Sequence, residues 1–510
     1  MRGMFAASLL SILSVVVPGA AADPLDITDT SGAVEADRRA RDDAEDRLLG
    51  APTEDLFEVE RRGGYSPLSG WRDGVWVLVE PKLHLSLGDG VPDNNGGEEE
   101  PGGLTPQLSA MGVLVAGPFE IRATPWIRTG FVNAGGQGVA GRVDVKDLWA
   151  GVRAGGLSVG FGREDRWLGP SRHGSLTLSD NAIPPWLGGV SGEGHLPWVL
   201  SKLGRLRGEL DVGWLGEPRG DVANPGLMVG DVRWLPVPEL EIGVTRMTIF
   251  GGEDRPPVDF GQLLLPTEPH IYDDPDQLLP DQDELAALDF RLCLPLHHWL
   301  ASIPIQHVEA YWQYGGEDVI ARKLGPIPYP SLAGVANIYG GEVTAGPISA
   351  NVEYSRLMDD TFRWYVGHRV YHEGFTQDQR PLGNPGGTDS ETIWGRLGWT
   401  AGPEGPVYGL RAALWADRTH RVGVIESRND KVFTLETEET RWRAGAEVSI
   451  ATPPGPAPRG RLSGGYTLEH ISGEDFVPGA DRFAHRAWLS WSVDIAGGRP
   501  FGASQAPDGV

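Results

Sequence analysis

Apolar and polar side chains alternate with a period of two along much of this chain. In residues 75–87, Val75, Val77, Val79, Leu83, Leu85 and Leu87 interleave with Trp76, Glu80, Lys82, His84 and Ser86. The same rhythm runs through 239–245 (Leu240, Ile242, Val244), 307–314 (Val308, Ala310, Trp312, Tyr314) and 461–470 (Leu462, Tyr466, Leu468). It returns in 484–495, where Leu489, Trp491, Val493 and Ile495 alternate with Ser490, Ser492 and Asp494. Successive strand residues point to opposite faces, so each segment predicts a strand with one apolar and one polar face. Only residues 31–49 read as a helix, rich in Ala, Glu and Arg with Ser31 as a cap.

The spacing of the connections matters more than any single strand. Short turns are expected at Gly117-Pro118, Ala154-Gly155-Gly156, Leu203-Gly204, 235–238 and Ala345-Gly346-Pro347, and somewhat longer ones at 295–304, 401–406 and 451–460. Between them lie long polar connections near 88–107, 129–146, 163–196, 250–283, 315–332, 358–389, 419–436 and 472–481. Short and long connections alternate, with about eighteen strands between them, which is the layout of an outer-membrane antiparallel β-barrel. Trp126, Trp149, Trp214, Trp312, Trp394, Trp399, Trp415 and Trp488 fall near expected strand ends, where aromatic girdles would sit. A secreted β-sandwich or propeller also alternates, but no blade-length repeat is visible.

Composition narrows the choice. Arg2, the apolar stretch Met4–Val17 and Ala20-Ala21-Ala22 form an export leader with a cleavage site before Asp23. With no cysteine beside that site, a lipid anchor there is excluded. Outside the leader no apolar run reaches the ~18 residues of a membrane helix. The chain carries 70 Asp+Glu against 44 Lys+Arg, a net charge of −26 that excludes nucleic acid as main partner. The single cysteine, Cys293, excludes disulfides and multi-cysteine metal sites and reads as a small buried residue. The expected organisation is a leader (1–22), a periplasmic helical segment (23–70), an all-β barrel (71–495) and a polar tail (496–510). Both termini are expected on the periplasmic side.

Two motifs carry a family resemblance. The first is Gly162-Arg163-Glu164-Asp165-Arg166-Trp167-Leu168-Gly169-Pro170, continuing through Ser175-Leu176-Thr177-Leu178-Ser179-Asp180-Asn181-Ala182 to Pro184. The second is Tyr371-His372-Glu373-Gly374, followed by Arg380-Pro381-Leu382-Gly383-Asn384-Pro385-Gly386-Gly387 and Asp389, with Asn384 where the pattern has His. In order, over roughly residues 60–495, the chain resembles the capsule assembly family Wzi. The resemblance implies an outer-membrane barrel of about eighteen strands with periplasmic helices, and a surface lectin that holds capsular or related exopolysaccharide on the cell.

Candidate contacts follow from both readings. Trp stacks on sugar C–H faces while Arg and Asn give directional hydrogen bonds, which singles out Arg166, Trp167, Arg172, Asn181 and Trp186. The alternative is that Asp180 and Asn181 cap turns and Trp167 plugs the lumen. In the later connection Arg363, Trp364, Tyr365, Arg369, Tyr371, His372 and Arg380 interleave basic and aromatic groups, a pattern suited to an acidic polysaccharide. An acidic chain repels such a polymer, so a local basic patch has to override the mean field within roughly 8 Å. The alternative is Arg on the barrel wall and Tyr in a girdle.

Acidic stretches at 93–100 and 273–283 lack calcium-loop spacing and read as solvated. No cofactor or metal is expected, and no G-x-S-x-G, H-E-x-x-H or P-loop is present. The expected protein is a non-enzymatic monomer among outer-membrane lipid and lipopolysaccharide. A porin-like channel for sugars or small anions is the rival reading, and a barrel hydrolase with a Ser–His–Asp group assembled across strands is the more distant one.

Overall fold

A computed structural model describes residues 72–88, 103–128, 141–154, 157–195, 203–217, 219–237, 239–256, 258, 263, 282–296, 304–324, 327–358, 363–368, 370–401, 409–427, 431–451 and 459–499. The expected helix at 31–49, His297-His298 and Arg369 lie outside them, as do the acidic stretches apart from Asp283, which is buried on a strand.

The strands are β1 (Arg72–Gly88), β2 (Gly103–Gly117), β3 (Phe119–Arg128), β4 (Arg142–Ala154), β5 (Leu157–Arg163), β6 (Trp186–His195) and β7 (Arg205–Trp214). They continue with β8 (Gly226–Val237), β9 (Leu240–Phe250), β10 (Gln282–Leu294), β11 (Ile305–Leu324), β12 (Ile327–Ala345) and β13 (Ile348–Arg356). A small hairpin follows, β14 (Thr376–Gln377) with β15 (Arg380–Pro381), and then β16 (Ser390–Thr400), β17 (Arg411–Ser427), β18 (Lys431–Ala451), β19 (Arg459–Ser472) and β20 (Arg482–Arg499).

Apart from the β14–β15 hairpin, the strands form one 18-stranded sheet in which each pairs antiparallel with its neighbours. β20 pairs back onto β1, from Val75 opposite Arg499 to Gly88 opposite Arg486. The ring is therefore closed. Closure leaves no unpaired strand edge, the condition for backbone to cross hydrocarbon. Among the described residues no helix is long and apolar enough to cross a membrane. β20 runs past Ile495, into the segment read from sequence as tail.

Alternation puts large apolar groups outside. Val75, Val77, Val79, Leu83 and Leu87 of β1 are exposed, as are Leu462, Tyr466 and Leu468 of β19 and Leu489, Trp491 and Ile495 of β20. An apolar outer belt on a closed barrel belongs in an outer membrane. Stacked aromatics mark the outer face: Phe161, Trp186 and Trp214 form one group where β5, β6 and β7 meet their long connections, and Phe290, Trp312 and Tyr339 form another within β10, β11 and β12. Of the eight tryptophans expected in the girdles, only Trp214, Trp312 and Trp399 face outward. Trp126, Trp149, Trp394, Trp415 and Trp488 turn into the lumen. Trp149 lies under Arg122 and Arg153, and Trp415 under Arg443, so cation–π contact holds them on the polar face.

Two expected loops are strands instead. β11 and β12 run on to Leu324 and Ile327, and β17 and β18 to Ser427 and Lys431, through the segments read as connections at 315–332 and 419–436.

Candidate functional site

Two long connections fold inward and meet inside the barrel. The first (164–185) follows β5, and the second (357–389) follows β13. Their meeting surface is apolar. Leu168, Leu176, Leu178 and Ala182 of the first pack with Trp364, Tyr365, Tyr371, Phe375 and Leu382 of the second. Inward-facing wall residues complete the cluster, among them Leu187, Leu227, Met247, Ile249, Leu285 and Ile338. The lumen wall is apolar here because it faces protein; a wall facing water would be polar.

Hydrogen bonds stitch the two connections together. The Ser179 amide donates to Leu382 O at 2.7 Å, and Asn181 Nδ2 to Pro381 O at 3.0 Å. The Tyr365 hydroxyl donates to Ser175 O at 3.1 Å and accepts from the Asn384 amide at 2.7 Å. Burial pushes the Tyr365 phenol well above its ordinary range, so it remains a neutral donor. Gly383 lies against this junction. A Cβ there would collide with the Tyr365 hydroxyl and stand 2.6 Å from Ser175 O and 2.8 Å from Thr177 O.

Ion pairs tie the first connection to opposite walls. On β7, Arg166 pairs with Glu209 at 2.8 Å and with Asp211; on β3, Arg122 reaches Glu164 at 3.0 Å. Across the lumen Arg172 makes two 2.8 Å hydrogen bonds to Glu309 of β11 and lies 3.7 Å from Glu342 of β12. The Arg172 and His173 amides donate to Glu353 of β13, which also accepts from Tyr311. The His173 ring stacks on Trp394 of β16 at 5.3 Å between centroids. Ser171 donates to Gln313, which donates to Asp289, which in turn meets Arg233. The segment therefore spans the lumen from β7 to β16. Glu209, Asp211, Glu309 and Asp289 are each met by a guanidinium, and Glu353 by amides and a phenol, because an unpaired charge there would be costly.

A third connection, 215–225, escaped the sequence reading, although Glu217, Arg219 and Asp221 crowd three charges into five residues. Arg219 is fully buried. It pairs with Asp221 and Glu217 and donates to Thr376 O at 3.0 Å and Gly374 O at 2.9 Å, clamping the β14–β15 hairpin. The Glu373 amide donates to Asp221 at 2.8 Å. At the hairpin tip Asp378 and Gln379 both take positive φ, the turn that suits a two-residue hairpin loop.

The two carboxyls beside Arg219 titrate apart. Burial opposes ionisation of Asp221, but Arg219 and the amides of Glu373 and Val222 hold it below its usual range. Glu217 is buried too, with one 3.3 Å contact to Arg219 and with Asp378, Glu373 and Asp221 nearby, and its pKa is pushed up to about 7. A carboxyl raised in the folded state stabilises it fully below its unfolded pKa, near 4.5, and that stabilisation is lost as pH rises through about 7. Amides of 219–222 and 371–376 are therefore expected to exchange more slowly at pH 5 than at pH 7.5, after correction for intrinsic exchange. Glu217→Gln should flatten that difference; a difference that persists in the variant would remove Glu217 as its source.

The residues singled out by sequence occupy three environments. Arg166, Arg172, Asn181, Trp364, Tyr365 and Tyr371 are buried or nearly so, bound within the lumenal assembly. Trp186 opens β6 and faces outward beside Phe161 and Trp214, with Arg163 over its ring. His372 is exposed, while Trp167, Arg363 and Arg380 are half-buried, Arg363 paired with Asp389 at 3.0 Å.

Comparison with known proteins adds to this picture. The family model for capsule assembly protein Wzi matches residues 114–404, more than half of the chain. No curated protein matches it in sequence. Among solved structures it is similar to Wzi of Escherichia coli, described as an outer-membrane protein involved in group 1 capsule assembly and a carbohydrate-binding β-barrel. The two are 16% identical over 90% of this chain and 88% of that one, with a TM-score of 0.56. OprD of Pseudomonas aeruginosa (11% identity, 84% of this chain and 97% of that one, TM-score 0.45) is more distant. OccAB1 of Acinetobacter baumannii (10%, 84% and 98%, 0.47) is equally remote.

Proposed function

This chain belongs to the Wzi family of capsule assembly proteins, and from that premise we propose that it binds capsular polysaccharide and anchors the capsule at the cell surface. The observation that carries the reading is the lumenal assembly of residues 164–185 and 357–389. A channel needs a water-filled path lined by polar groups. Here an apolar cluster and buried ion pairs occupy that path, which supports a surface-presenting barrel over a porin. The description of the E. coli protein as carbohydrate-binding points the same way.

The roles divide by exposure. Arg166, Arg172, Asn181, Trp364, Tyr365 and Tyr371 hold the assembly together. Trp167, Arg363, His372 and Arg380, with Arg369 beside them in sequence, offer the stacking and charge-assisted contacts that an acidic polysaccharide needs. Trp186 serves the membrane girdle. Retention is binding without bond-breaking, by a monomer among outer-membrane lipid and lipopolysaccharide. The organisation remains a leader (1–22), a periplasmic segment (23–70), the barrel and a short tail.

The test is cell-associated against shed polysaccharide in a deletion strain complemented with wild-type chain or with the double variant His372→Ala, Arg380→Ala. The wild type should restore retention. An exposed polar contact contributes about 1 kcal/mol, so the double variant is expected to weaken binding about tenfold or more. Full retention by a folded double variant would remove these two contacts. Complementation without any effect on shedding would remove the function itself.

A further inference from the structure

A second cluster sits in the lumen toward the short-turn end of β10 and β11. Cys293 of β10 lies directly opposite Glu309 of β11, and His307 precedes Glu309 by two residues on the same face of that strand. The cysteine sulfur, an imidazole nitrogen and a Glu309 oxygen all lie within 4.8 Å of one another. A register shift between Ile305 and His307 interrupts the β11–β12 ladder here, and such irregularities re-aim side chains.

His307 supplies the independent observation. Its side chain is buried at 1% exposure, and neither Nδ1 nor Nε2 has a hydrogen-bond partner among the described residues. A buried imidazole normally satisfies at least one nitrogen, since leaving a polar group unpaired in an apolar setting costs free energy. A ring aimed at a thiol and a carboxylate, with both nitrogens unbonded, has the form of a ligand awaiting its ion.

We propose that Cys293, His307 and Glu309 bind a thiophilic divalent cation, zinc(II) by the character of the donors. Zinc takes sulfur, imidazole and carboxylate together, and three protein ligands leave a fourth position for water. Calcium and magnesium require oxygen shells and are disfavoured by the thiolate and imidazole. Bond lengths of about 2.0–2.3 Å at a tetrahedral angle place ligand atoms roughly 3.3–3.6 Å apart, so modest side-chain rotations close the site. Glu309 accepts from Arg172 and Arg291, and its two oxygens together offer about four lone-pair sites, so a metal would share the carboxylate with these guanidiniums. Binding converts the Cys293 thiol to a metal thiolate and releases its proton to solvent. The site shares Glu309 with Arg172, so the metal would sit next to the anchor of the 164–185 connection.

The test uses the full chain, purified in detergent and stripped with a chelator, then titrated with Zn²⁺ against a chromophoric competitor and separately with Co²⁺. One equivalent of each should bind, and the cobalt form should show an intense thiolate-to-metal charge-transfer band. Cys293→Ser should abolish that band. Cys293→Ser and His307→Gln should each weaken zinc binding by at least the roughly 10–100-fold that loss of an outer-shell partner costs. Cobalt bound without the thiolate band, or zinc affinity unchanged in either folded variant, would overturn the proposal. If a variant fails to fold, the wild type decides. Cys293 is the sole cysteine, so zinc must slow its alkylation by a maleimide, and an unaltered rate counts against the site.

Discussion

Replacing Arg172 with Ala is expected to turn a barrel that passes almost no current in planar bilayers into one that flickers open. The guanidinium holds Glu309 by two 2.8 Å hydrogen bonds and faces Glu342 at 3.7 Å. Both carboxylates are buried, and without Arg172 they oppose each other across the β11–β12 pair with Arg291 as the remaining cation on Glu309. Removing one partner of a buried pair costs about 3–5 kcal/mol, because the other charge is left uncompensated. That cost falls on the folded-in state of the 164–185 connection. The strand ladders are untouched, so heat-modifiable gel mobility should remain that of a folded barrel. Arg172→Lys should fall between, since an ammonium cannot reproduce the bidentate fork. Unaltered conductance in a folded Arg172→Ala protein would mean that other contacts, such as the Glu353 bonds to the amides of 172 and 173, hold the segment alone.

The second large effect is expected at Gly383. A methyl group there has no room between the Tyr365 hydroxyl and the carbonyls of Ser175 and Thr177, and two of the three obstacles are backbone. Gly383→Ala should push the two connections apart and leave Ser175 O and the Asn384 amide short of partners, at about 1–3 kcal/mol for each buried group. Protease cleavage within 164–185 or 363–389, together with shed polysaccharide, should rise while the barrel stays folded. Tyr365→Phe removes the same hydroxyl bonds without the collision and should show the same direction at smaller size. A protease-resistant Gly383→Ala protein would show that the junction yields more readily than its packing implies.

The strands that face lipid were the most legible in the sequence. In β1, β19 and β20 one face must be apolar and the other need not be, so burial writes itself as strict alternation. The upper parts of β11, β12, β17 and β18 carry no such signal, although their ladders continue, that of β17 and β18 across a register shift between Gly423 and Val424. Backbone pairing is what continues there, and it leaves little trace in side-chain type. The lumenal tryptophans misled for another reason. Trp394 and Trp399 share β16 but stand on opposite faces, and an Arg-rich lumen accepts an indole as readily as a membrane interface does.

The candidate site was half legible. The Gly162–Pro184 and Tyr371–Asp389 motifs fall in the two connections that meet inside the barrel, yet interleaved Arg and aromatic residues look alike whether they face a polymer or each other. What decided between these for Arg172 or Tyr365 was a set of partners more than a hundred residues away, such as Glu309 and Ser175. Arg219 was missed because its acceptors include the carbonyls of Gly374 and Thr376, which no side-chain pattern announces.

The β1–β20 seam has a bearing on how the molecule is made. Every other pairing in the ring joins strands adjacent along the barrel sequence, so most of the wall can zip together hairpin by hairpin as short loops close. Only the seam joins residues some four hundred positions apart, and until β20 arrives β1 presents an open edge in an otherwise membrane-ready sheet. The lumenal assembly faces a similar delay, since Ser175 cannot meet Tyr365 until β13 has been laid down. Assembly by neighbouring hairpins therefore passes through an open-sided form with its lumen unfilled, and the pairing of β20 with β1 both seals the wall and fixes the space within which the two connections must pack.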